Sequence, residues 1–460
     1  MSNAFDATLR RFQNASVRQS AALDDLARQA VFGVPEAREQ ARWLIWEIGQ
    51  QAGVRPASIH ELYLARGQGE VPPFTTPAMN VRVLAYDTAR AVFRAATRLD
   101  VGALVLEIAR SEIGYTEQRP AEYVAVMTAA ALREGFEGPL FIQGDHVQVN
   151  AKKYGADAQA ELGAVRALIE EELGAGFYNI DVDTSTLVDL SQSTLDEQQR
   201  VNYERAAELT KFVRDREPEG VTVSVGAEIG EVGGKNSDVH ELEAFMEGYT
   251  RTLQRLAGGP YVGISKISVQ TGTSHGGVVL PDGSIAKVQL DLDALQTLSR
   301  EARARYGLGG AVQHGASTLP PEAFGHFPAR EAIEIHLATN FQNIVFDHPK
   351  LPADVRDEIN EWVRSECKDE WKKGDTEQQF IYKSRKKAIG PFKRRLWDLP
   401  ADVRAAIAGD LEDTFAFLFE QLRVTNTRGT VDRWIKPPLQ SHARPRAVTV
   451  AAPDDLEAGE

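Results

Sequence analysis

Three histidines occupy positions from which they could bind one metal ion. The chain has nine histidines, and His146, His275 and His314 each follow a short, mostly apolar run. If those runs are parallel strands of one barrel, their carboxyl ends open into a common mouth, where three imidazoles form a divalent-metal site with a fourth position open. A lone histidine is more often a hydrogen-bonded core residue, but three at equivalent strand ends favour metal ligation. Two carboxylates, Asp183 and Glu228, end further predicted strands at the same rim.

The neighbours of these histidines could supply acid–base chemistry and bind an anion. Asp145 precedes His146, so a carboxylate that could act as a general acid or base stands beside a predicted ligand. Small residues surround the other two histidines, in GTSHGG at 272–277 and HGAST at 314–318. Glycines let backbone N–H groups approach an anion and Ser or Thr hydroxyls add donors, which suits a phosphate. Tight turns alone would also explain the glycines.

The elements that must position these residues form a repeating pattern. From residue 74 to residue 349, short apolar runs alternate with amphipathic helical patterns, and nearly continuous apolar runs are typical of parallel strands buried on both faces. Eight such strands separated by helices predict a (β/α)8 barrel. The alternative, a doubly wound open sheet, lacks a strand–GxGxxG–helix unit. The predicted strands are 76–83, 103–109, 139–144, 177–182, 221–229, 264–271, 310–313 and 332–337.

Segments of different texture flank the predicted barrel. Residues 1–73 indicate an amino-terminal helical segment that ends in a linker, RGQGEVPP at 66–73. Residues 350–437 indicate a charged, helical carboxyl-terminal extension, whose four tryptophans should pack on the barrel or on a second subunit. Residues 438–460 are rich in Pro, Ala and acids and are expected to be disordered.

Composition excludes several classes of protein. Hydrophobic residues make up 43% of the 460-residue chain, as in a soluble globular protein. The net charge of −14 argues against a general nucleic-acid binder, because phosphate backbones are held by Lys and Arg. The single cysteine, Cys367, excludes a disulfide framework. No apolar run approaches the roughly 18 residues that span a bilayer, and no signal peptide is evident, so we expect no membrane partner and a cytoplasmic location.

Six segments between residues 74 and 346 resemble, in order, motifs of the class II, metal-dependent fructose-bisphosphate aldolases. The resemblance covers most of the predicted barrel and places each motif at a predicted strand end. The segments are AMNV at 78–81 (similar to the family's AFNV), GDH at 144–146 (DH), VDTS at 182–185 (IDGS), EIGEVGG at 228–234 (ELGxxGG), GTSHG at 272–276 (GTAHG) and HGAS at 314–317 (HGGS).

The resemblance implies a role for each matching residue. It implies Zn²⁺ or another divalent metal on His146, His275 and His314, with Glu228 and Asp183 behind or beside the ion. In this chemistry the metal polarises a ketone and stabilises the enediolate left after cleavage. No Schiff-base lysine is needed, and none stands out on a predicted strand.

The resemblance also implies how substrate is held and how its protons move. Asp145 would exchange a proton with the hydroxyl that is formed or broken with the C–C bond. The remaining matching residues would bind a phosphate or line the pocket; these are Asn80, Gly276, Gly315, Ser317 and Thr339.

The chain departs from the family pattern at four positions. Gln143 replaces the first histidine of HxDH, Ala109 replaces a second-strand serine, and Ala338 replaces a phosphate-binding aspartate of the eighth strand, where the family's NIDTD becomes HLATN. Asn236 replaces the loop glutamate that removes a proton from the ketose phosphate. We nominate Asp238 as the substitute base, with nearby His240 and Glu241 as alternatives.

These features predict a metal-dependent aldolase of the lyase class that acts on a phosphorylated ketose. The family default is fructose 1,6-bisphosphate, cleaved to dihydroxyacetone phosphate and glyceraldehyde 3-phosphate. A non-catalytic or regulatory aldolase-like subunit, a barrel enzyme with an altered sugar-phosphate substrate, and a metal-dependent enzyme of another class such as an isomerase remain open. The resemblance implies a homodimer or larger homo-oligomer.

The basic stretch 383–395 contains seven cations and no acid. Such a run is either a solvated face or a contact for an anion or a subunit. Arg385, Arg394 and Arg395 are candidates to pair with a second substrate phosphate, because a guanidinium binds phosphate oxygens in pairs.

Overall fold

The computed structural model describes residues 2–230, 236–272 and 290–445. Two residues of the predicted site, His275 and Gly276, lie outside these ranges, as does most of the predicted disordered tail. The double glycine after Glu228 also lies outside them.

Eight parallel strands close into a barrel, which confirms the predicted (β/α)8 fold. The strands follow one another around the ring in chain order, and a pairing between β4 and β5 completes it. The barrel strands are β2 (Thr76–Asn80), β3 (Val105–Ala109), β4 (Gly138–Gln148), β5 (Asn179–Asp183), β6 (Ser224–Glu228), β7 (Lys266–Val269), β8 (Ala311–Gln313) and β9 (Glu334–Leu337). Each contains residues of one predicted strand, and all neighbouring pairs are parallel.

A ninth strand, β1 (Val54–Ala57), was not predicted. It pairs with the first half of β4, from Val54 opposite Gly138 to Ala57 opposite Phe141, whereas β5 pairs with the second half of β4. The Asn179 side chain joins the two strands, because its Nδ2 donates to the carbonyls of Ala57 (3.1 Å) and Ile142 (3.0 Å). Thus β1 fills the gap between β4 and β5 at the amino-terminal end of the barrel.

Helices surround the barrel and extend from both ends of the chain. Five precede β2: α1 (Ser2–Phe12), α2 (Ala15–Arg18), α3 (Ala21–Phe32), α4 (Pro35–Ala52) and α5 (His60–Gly67). Those between and after the strands are α6 (Ala85–Arg98), α7 (Arg110–Thr116), α8 (Pro120–Arg133), α9 (Ala151–Ala156), α10 (Ala158–Ala175), α11 (Leu195–Arg214), α12 (Val239–Ala257), α13 (Leu292–Tyr306), α14 (His326–Ala329) and α15 (Thr339–Phe346). The extension contains α16 (Ala353–Glu366), α17 (Glu377–Ser384), α18 (Lys393–Trp397), α19 (Ala401–Gln421) and α20 (Arg428–Trp434). None of the described helices is long and apolar enough to cross a membrane.

The carboxyl-terminal extension packs on the barrel of its own chain. Helix α19 lies against α6, and its Phe415 ring packs on Phe341 of α15 with centroids 4.7 Å apart. Residues 438–445, which their composition predicts to be disordered, instead lie against α4. There the His442 ring stacks on Trp46 at 3.8 Å, and the Trp43 indole N–H donates to the His442 carbonyl at 3.1 Å.

Candidate active site

A β-bulge at the end of β4 turns two adjacent side chains toward the barrel mouth. Gly144 pairs with Ile180 and Val147 with Val182, so two residues of β4, Asp145 and His146, stand opposite one residue of β5. His146 has a φ of 40°, in the left-handed region that non-glycine residues rarely adopt. A bulge re-aims side chains in this way, and backbone strain of this kind concentrates at functional sites.

The bulge brings His146 and Asp145 beside His314, which follows β8. The rings of His146 and His314 lie 4.3 Å apart between centroids, and His146 Nε2 is 3.9 Å from Asp145 Oδ1. One potential ligand atom from each of the three residues lies within 4.8 Å of the others. The structure therefore brings two of the three predicted histidines together.

Asp183 positions His146. Its Oδ2 is 3.0 Å from His146 Nδ1 and accepts a hydrogen bond from Gln148 at 2.6 Å, while Oδ1 accepts from the Ser185 backbone N–H at 3.1 Å. Burial alone would raise the pKa of Asp183, but the bonds from His146, Ser185 and Gln148 outweigh it and lower that pKa to about 2. An ionised carboxylate on Nδ1 leaves Nε2 of His146 for a metal, the usual outer-shell arrangement of a histidine ligand.

Glu228 lies between the two histidines. Its carboxylate oxygens are 3.6 Å from His146 Nδ1 and 4.0 Å from His314 Nε2. Burial and the neighbouring Asp183 raise the pKa of Glu228 to about 8. Burial would lower the pKa of His146, but the surrounding carboxyls of Asp145, Asp183 and Glu228 raise it well above its ordinary value. This concentration of negative charge and the mixed imidazole and carboxylate donors fit a divalent cation such as Zn²⁺.

A third imidazole, His336 on β9, stands at the same mouth. Its ring is 4.0 Å from that of His314 between centroids. Its Nδ1 lies 3.0 Å from Glu107 Oε2 and 3.1 Å from Asp145 Oδ1, and its Nε2 lies 2.8 Å from Glu334 Oε1. None of the six matching motif segments includes His336, although it lies near the end of a predicted strand, as His146 and His314 do.

Beneath these histidines the barrel interior is polar. We call this cluster the inner polar layer; its members are Glu107, Gln143, Asp181, Lys266 and Glu334. Lys266, which is 1% exposed, donates to Asp181 Oδ2 at 2.9 Å, to Gln143 Oε1 at 2.7 Å and to Glu334. Gln143, which replaces a family histidine, also donates to Glu107 at 3.0 Å.

The inner polar layer contains one lysine on a barrel strand, Lys266 on β7, which does not stand out in the sequence. Burial would lower the pKa of Lys266, but Asp181 and Glu334 outweigh it and raise that pKa. The amine is therefore held as an ammonium ion, which is not the form that attacks a carbonyl.

A cavity of about 770 Å³ opens above the histidines. The predicted site residues in its wall are Asp145, His146, His314, Gly315, Ser317 and Thr339. Its wall also contains five cations, namely Arg82, Arg110, Lys153, Lys383 and Lys386. This excess of cations toward the rim suits an anionic substrate.

Two predicted site residues have other surroundings. Asn80 does not line the cavity: it is buried behind the wall, where it donates to Glu112 and accepts from Arg82 Nε at 3.1 Å. Asp238 is exposed and caps α12, because its Oδ1 accepts from the backbone N–H groups of His240 (2.9 Å) and Glu241 (3.0 Å). Asp238 is not among the described residues of the cavity wall, and its assignment as the base stays a prediction.

The basic stretch reaches the cavity through its lysines rather than the nominated arginines. Lys383 and Lys386 line the cavity. The arginines are engaged elsewhere: Arg385 pairs with Asp347 and Asn343, Arg394 lies 4.4 Å over the Phe32 ring, and Arg395 pairs with Asp354 and Glu358.

A model of the family described as class-II fructose-bisphosphate aldolase matches residues 73–387. The chain belongs to this family. Membership supports a lyase-type enzyme and agrees with the resemblance found in the strand-end motifs. No curated protein matches the chain.

Several solved structures are similar to the chain at low identity. A putative fructose-1,6-biphosphate aldolase from Coccidioides immitis is 18% identical over 80% of this chain and 97% of that one, with a TM-score of 0.46. A probable tagatose 6 phosphate kinase from Sinorhizobium meliloti 1021 is 16% identical over 78% and 93%, with a TM-score of 0.51. A fructuronate-tagaturonate epimerase from Cohnella laeviribosi is 11% identical over 85% and 86%, with a TM-score of 0.48. At these identities the likeness concerns the fold alone.

Proposed function

We propose that the protein is a metal-dependent aldolase that reversibly cleaves a phosphorylated ketose, with fructose 1,6-bisphosphate as the first substrate to test. The observation that carries the proposal is the convergence of Asp145, His146 and His314 under a cavity lined by cations. In the family to which the chain belongs, the same positions hold the acid–base carboxylate and two metal ligands.

Each residue of the cluster has a distinct part in the proposed reaction. His146 and His314 would hold the ion together with His275, which lies outside the described residues. Asp183 would fix the ring of His146. When bound, the ion supplies Lewis-acid polarisation of the substrate ketone. Asp145 would take the proton from the hydroxyl on the carbon that becomes the aldehyde.

The electrons and protons of this cleavage balance. As the hydroxyl loses its proton, its oxygen forms the new aldehyde carbonyl, and the electron pair of the broken C–C bond stays with the ketone fragment. That fragment then takes up one proton on carbon, so no net proton is consumed. The proposal needs no nucleophilic lysine, in agreement with the ion pairs that hold Lys266.

The cavity wall offers one site for a phosphate near the histidines and cations for a second anionic group. Ser317 and Gly315 follow His314, and Ser317 Oγ accepts the backbone N–H of Ala338 at 2.6 Å. Among the described residues, neither Lys386 nor Lys153 has a carboxylate within salt-bridge distance, whereas Arg82, Arg110 and Lys383 do. Lys386 is half-buried, so a substrate phosphate there would bind a partly desolvated cation.

A substrate screen tests the proposal. The protein is assayed for aldol cleavage of fructose 1,6-bisphosphate, fructose 1-phosphate and other phosphorylated ketoses, each with and without EDTA. We expect EDTA-sensitive cleavage of at least one. We also expect Lys386→Met to raise KM for the bisphosphate at least tenfold more than for the monophosphate, with Lys383→Met as the matched control because Lys383 already pairs with Asp375. Absence of cleavage of every ketose phosphate in the presence of Zn²⁺, Mn²⁺ or Co²⁺ would refute the proposed function.

A further inference from the structure

His336 and the carboxylates around it have the geometry of ligands around an ion. Glu107 Oε2 and Asp145 Oδ1 lie 3.0 and 3.1 Å from His336 Nδ1. Within the part of the chain that the structure describes, neither ring nitrogen of His336 makes a hydrogen bond of normal direction with the carboxylates. Metal–ligand bonds of about 2.0–2.2 Å place neighbouring ligand atoms about 3 Å apart without aiming them at one another, which is the arrangement seen here.

Glu107 adds an independent observation. This side chain is 1% exposed and lines the cavity. Its Oε2 accepts from Gln143, but its Oε1 has no hydrogen-bond partner among the described residues. A buried carboxylate oxygen without a donor or a cation is costly, and a cation bound to the Glu107 carboxylate would remove that cost.

The charges around His336 also favour a bound cation. Four buried carboxyl groups surround His336, belonging to Glu107, Asp145, Asp181 and Glu334. The one lysine among them, Lys266, pairs with Asp181 and Glu334 on the lower side. Glu107, on the side of the cavity, has no lysine within salt-bridge distance among the described residues.

We propose that Glu107, Asp145 and His336 form a second divalent-cation site, next to the site of His146 and His314. One ligand atom from each of the three lies within 4.8 Å of the others. Two carboxylates and one imidazole suit ions that accept oxygen and nitrogen together, such as Mn²⁺ or Zn²⁺. The cavity gives the ion an entry path and room for water as its remaining ligands.

Occupancy of this second site has a consequence for catalysis, and this consequence rests on the proposed function. A carboxylate that binds a cation takes up a proton less readily, so an ion on Glu107, Asp145 and His336 would withdraw Asp145 from the cleavage step. Cleavage should therefore rise with the first equivalent of metal and fall as the second binds. In Glu107→Gln, cleavage should still rise with the first equivalent of metal but should not fall as more metal is added.

Metal binding itself tests the second site without reference to activity. EDTA-treated full-length protein is dialysed against Mn²⁺, and bound metal is measured by mass spectrometry and by electron paramagnetic resonance. We expect two Mn²⁺ per chain in the wild type and one in Glu107→Gln and in His336→Gln. His146→Gln is the matched control, which should lose the other ion and retain this one. The two sites are neighbours, since the His314 and His336 rings lie 4.0 Å apart between centroids, so the wild type should give a spectrum broadened by spin–spin coupling and Glu107→Gln the six-line spectrum of isolated Mn²⁺.

Either of two results would overturn the second site: one Mn²⁺ per chain in the wild type, or two in both Glu107→Gln and His336→Gln. Circular dichroism identifies a variant that fails to fold, and the wild-type stoichiometry and spectrum decide the question without it. Two coupled ions without cleavage of any ketose phosphate would refute the proposed function and leave the second site standing. Metal-dependent cleavage with a single bound ion would support the proposed function and refute the second site.

Discussion

Replacing Lys266 by methionine removes the ammonium ion that holds the inner polar layer together. The side chain is 1% exposed, lies 2.9 Å from Asp181 Oδ2 and pairs with Glu334, and methionine matches its length without the charge. Removing one partner of a buried ion pair costs about 3–5 kcal/mol, because the remaining charge is left uncompensated. Since two carboxylates lose the same partner here, we expect Lys266→Met to lower the free energy of unfolding by at least about 3 kcal/mol at pH 8.

The loss should depend on pH with a defined sign. Removing Lys266 takes away a charge that lowers the pKa values of both Asp181 and Glu334, so both values rise relative to the wild type, and that of Asp181, already about 6 through burial, moves further above its unfolded value of about 4. Groups of this kind favour the folded state below the unfolded pKa, and that advantage is lost as pH rises through the folded pKa. The deficit of Lys266→Met relative to the wild type should therefore be smaller at pH 5.5 than at pH 8.

Urea unfolding followed by tryptophan fluorescence measures this loss. Lys386→Met is the matched control: it also removes a lysine at the barrel mouth, but one without a carboxylate partner among the described residues, and should cost less than about 1 kcal/mol. The double variant Lys266→Met/Glu334→Gln should recover part of the lost stability, because it also removes one of the two carboxylates that Lys266→Met leaves without a partner. A loss for Lys266→Met below about 1 kcal/mol at pH 8 would refute the structural role assigned to this ion pair.

Three further predictions follow from the same structure. Borohydride added with a ketose phosphate should not trap a covalent adduct on Lys266, as checked by intact-mass measurement; a trapped adduct would place the chemistry on the lysine. Asp145→Ala should lose turnover by a factor of about 10² or more while it retains metal on the histidines, and loss of that metal with unchanged turnover per bound ion would make Asp145 a ligand only. Burial and Arg214 lower the pKa of His60 to about 4, so the folded protein resists its protonation. Unfolding free energy should therefore decrease by up to about 3 kcal/mol as pH falls from 6.5 to 4, and His60→Asn, measured by urea unfolding across that range, should remove this part of the pH dependence.

The eight barrel strands could be predicted because each is a short apolar run between amphipathic helices. Strand β1 could not, since its four residues, VRPA, include a proline and are too few to show an alternating pattern. Its place depends on the gap between β4 and β5 and on Asn179, which lies far along the chain. Tertiary pairing, rather than local preference, makes this segment a strand.

The candidate site likewise contains residues that the sequence could predict and residues that it could not. His146 and His314 could be found because each follows a predicted strand and has small or acidic neighbours. His336 owes its surroundings to Glu107 and Asp145, and Lys266 owes its own to Asp181 and Glu334. These partners lie on other strands, and only the closed barrel brings them together.

Two further sequence patterns bear on the nominated residues. Asp238 followed by Glu241 is the spacing of a helix capping box, and both capping bonds are present. This pattern indicated the structural role of Asp238 more directly than its acidity indicated a base. In the basic stretch, composition could not distinguish Lys386, which lines the cavity, from Arg394, which packs on Phe32.

Metal-dependent aldol cleavage at the histidine cluster is the proposed activity of this protein. The most direct test follows dihydroxyacetone phosphate release from fructose 1,6-bisphosphate by EDTA-treated protein as one equivalent of Zn²⁺ is added, in the wild type, in His314→Gln and in His348→Gln, a buried histidine outside the cavity wall. We expect no release without metal, restoration of release by Zn²⁺ in the wild type and in His348→Gln, and no restoration in His314→Gln. Release that persists in EDTA, or that His314→Gln leaves unchanged, would contradict this expectation.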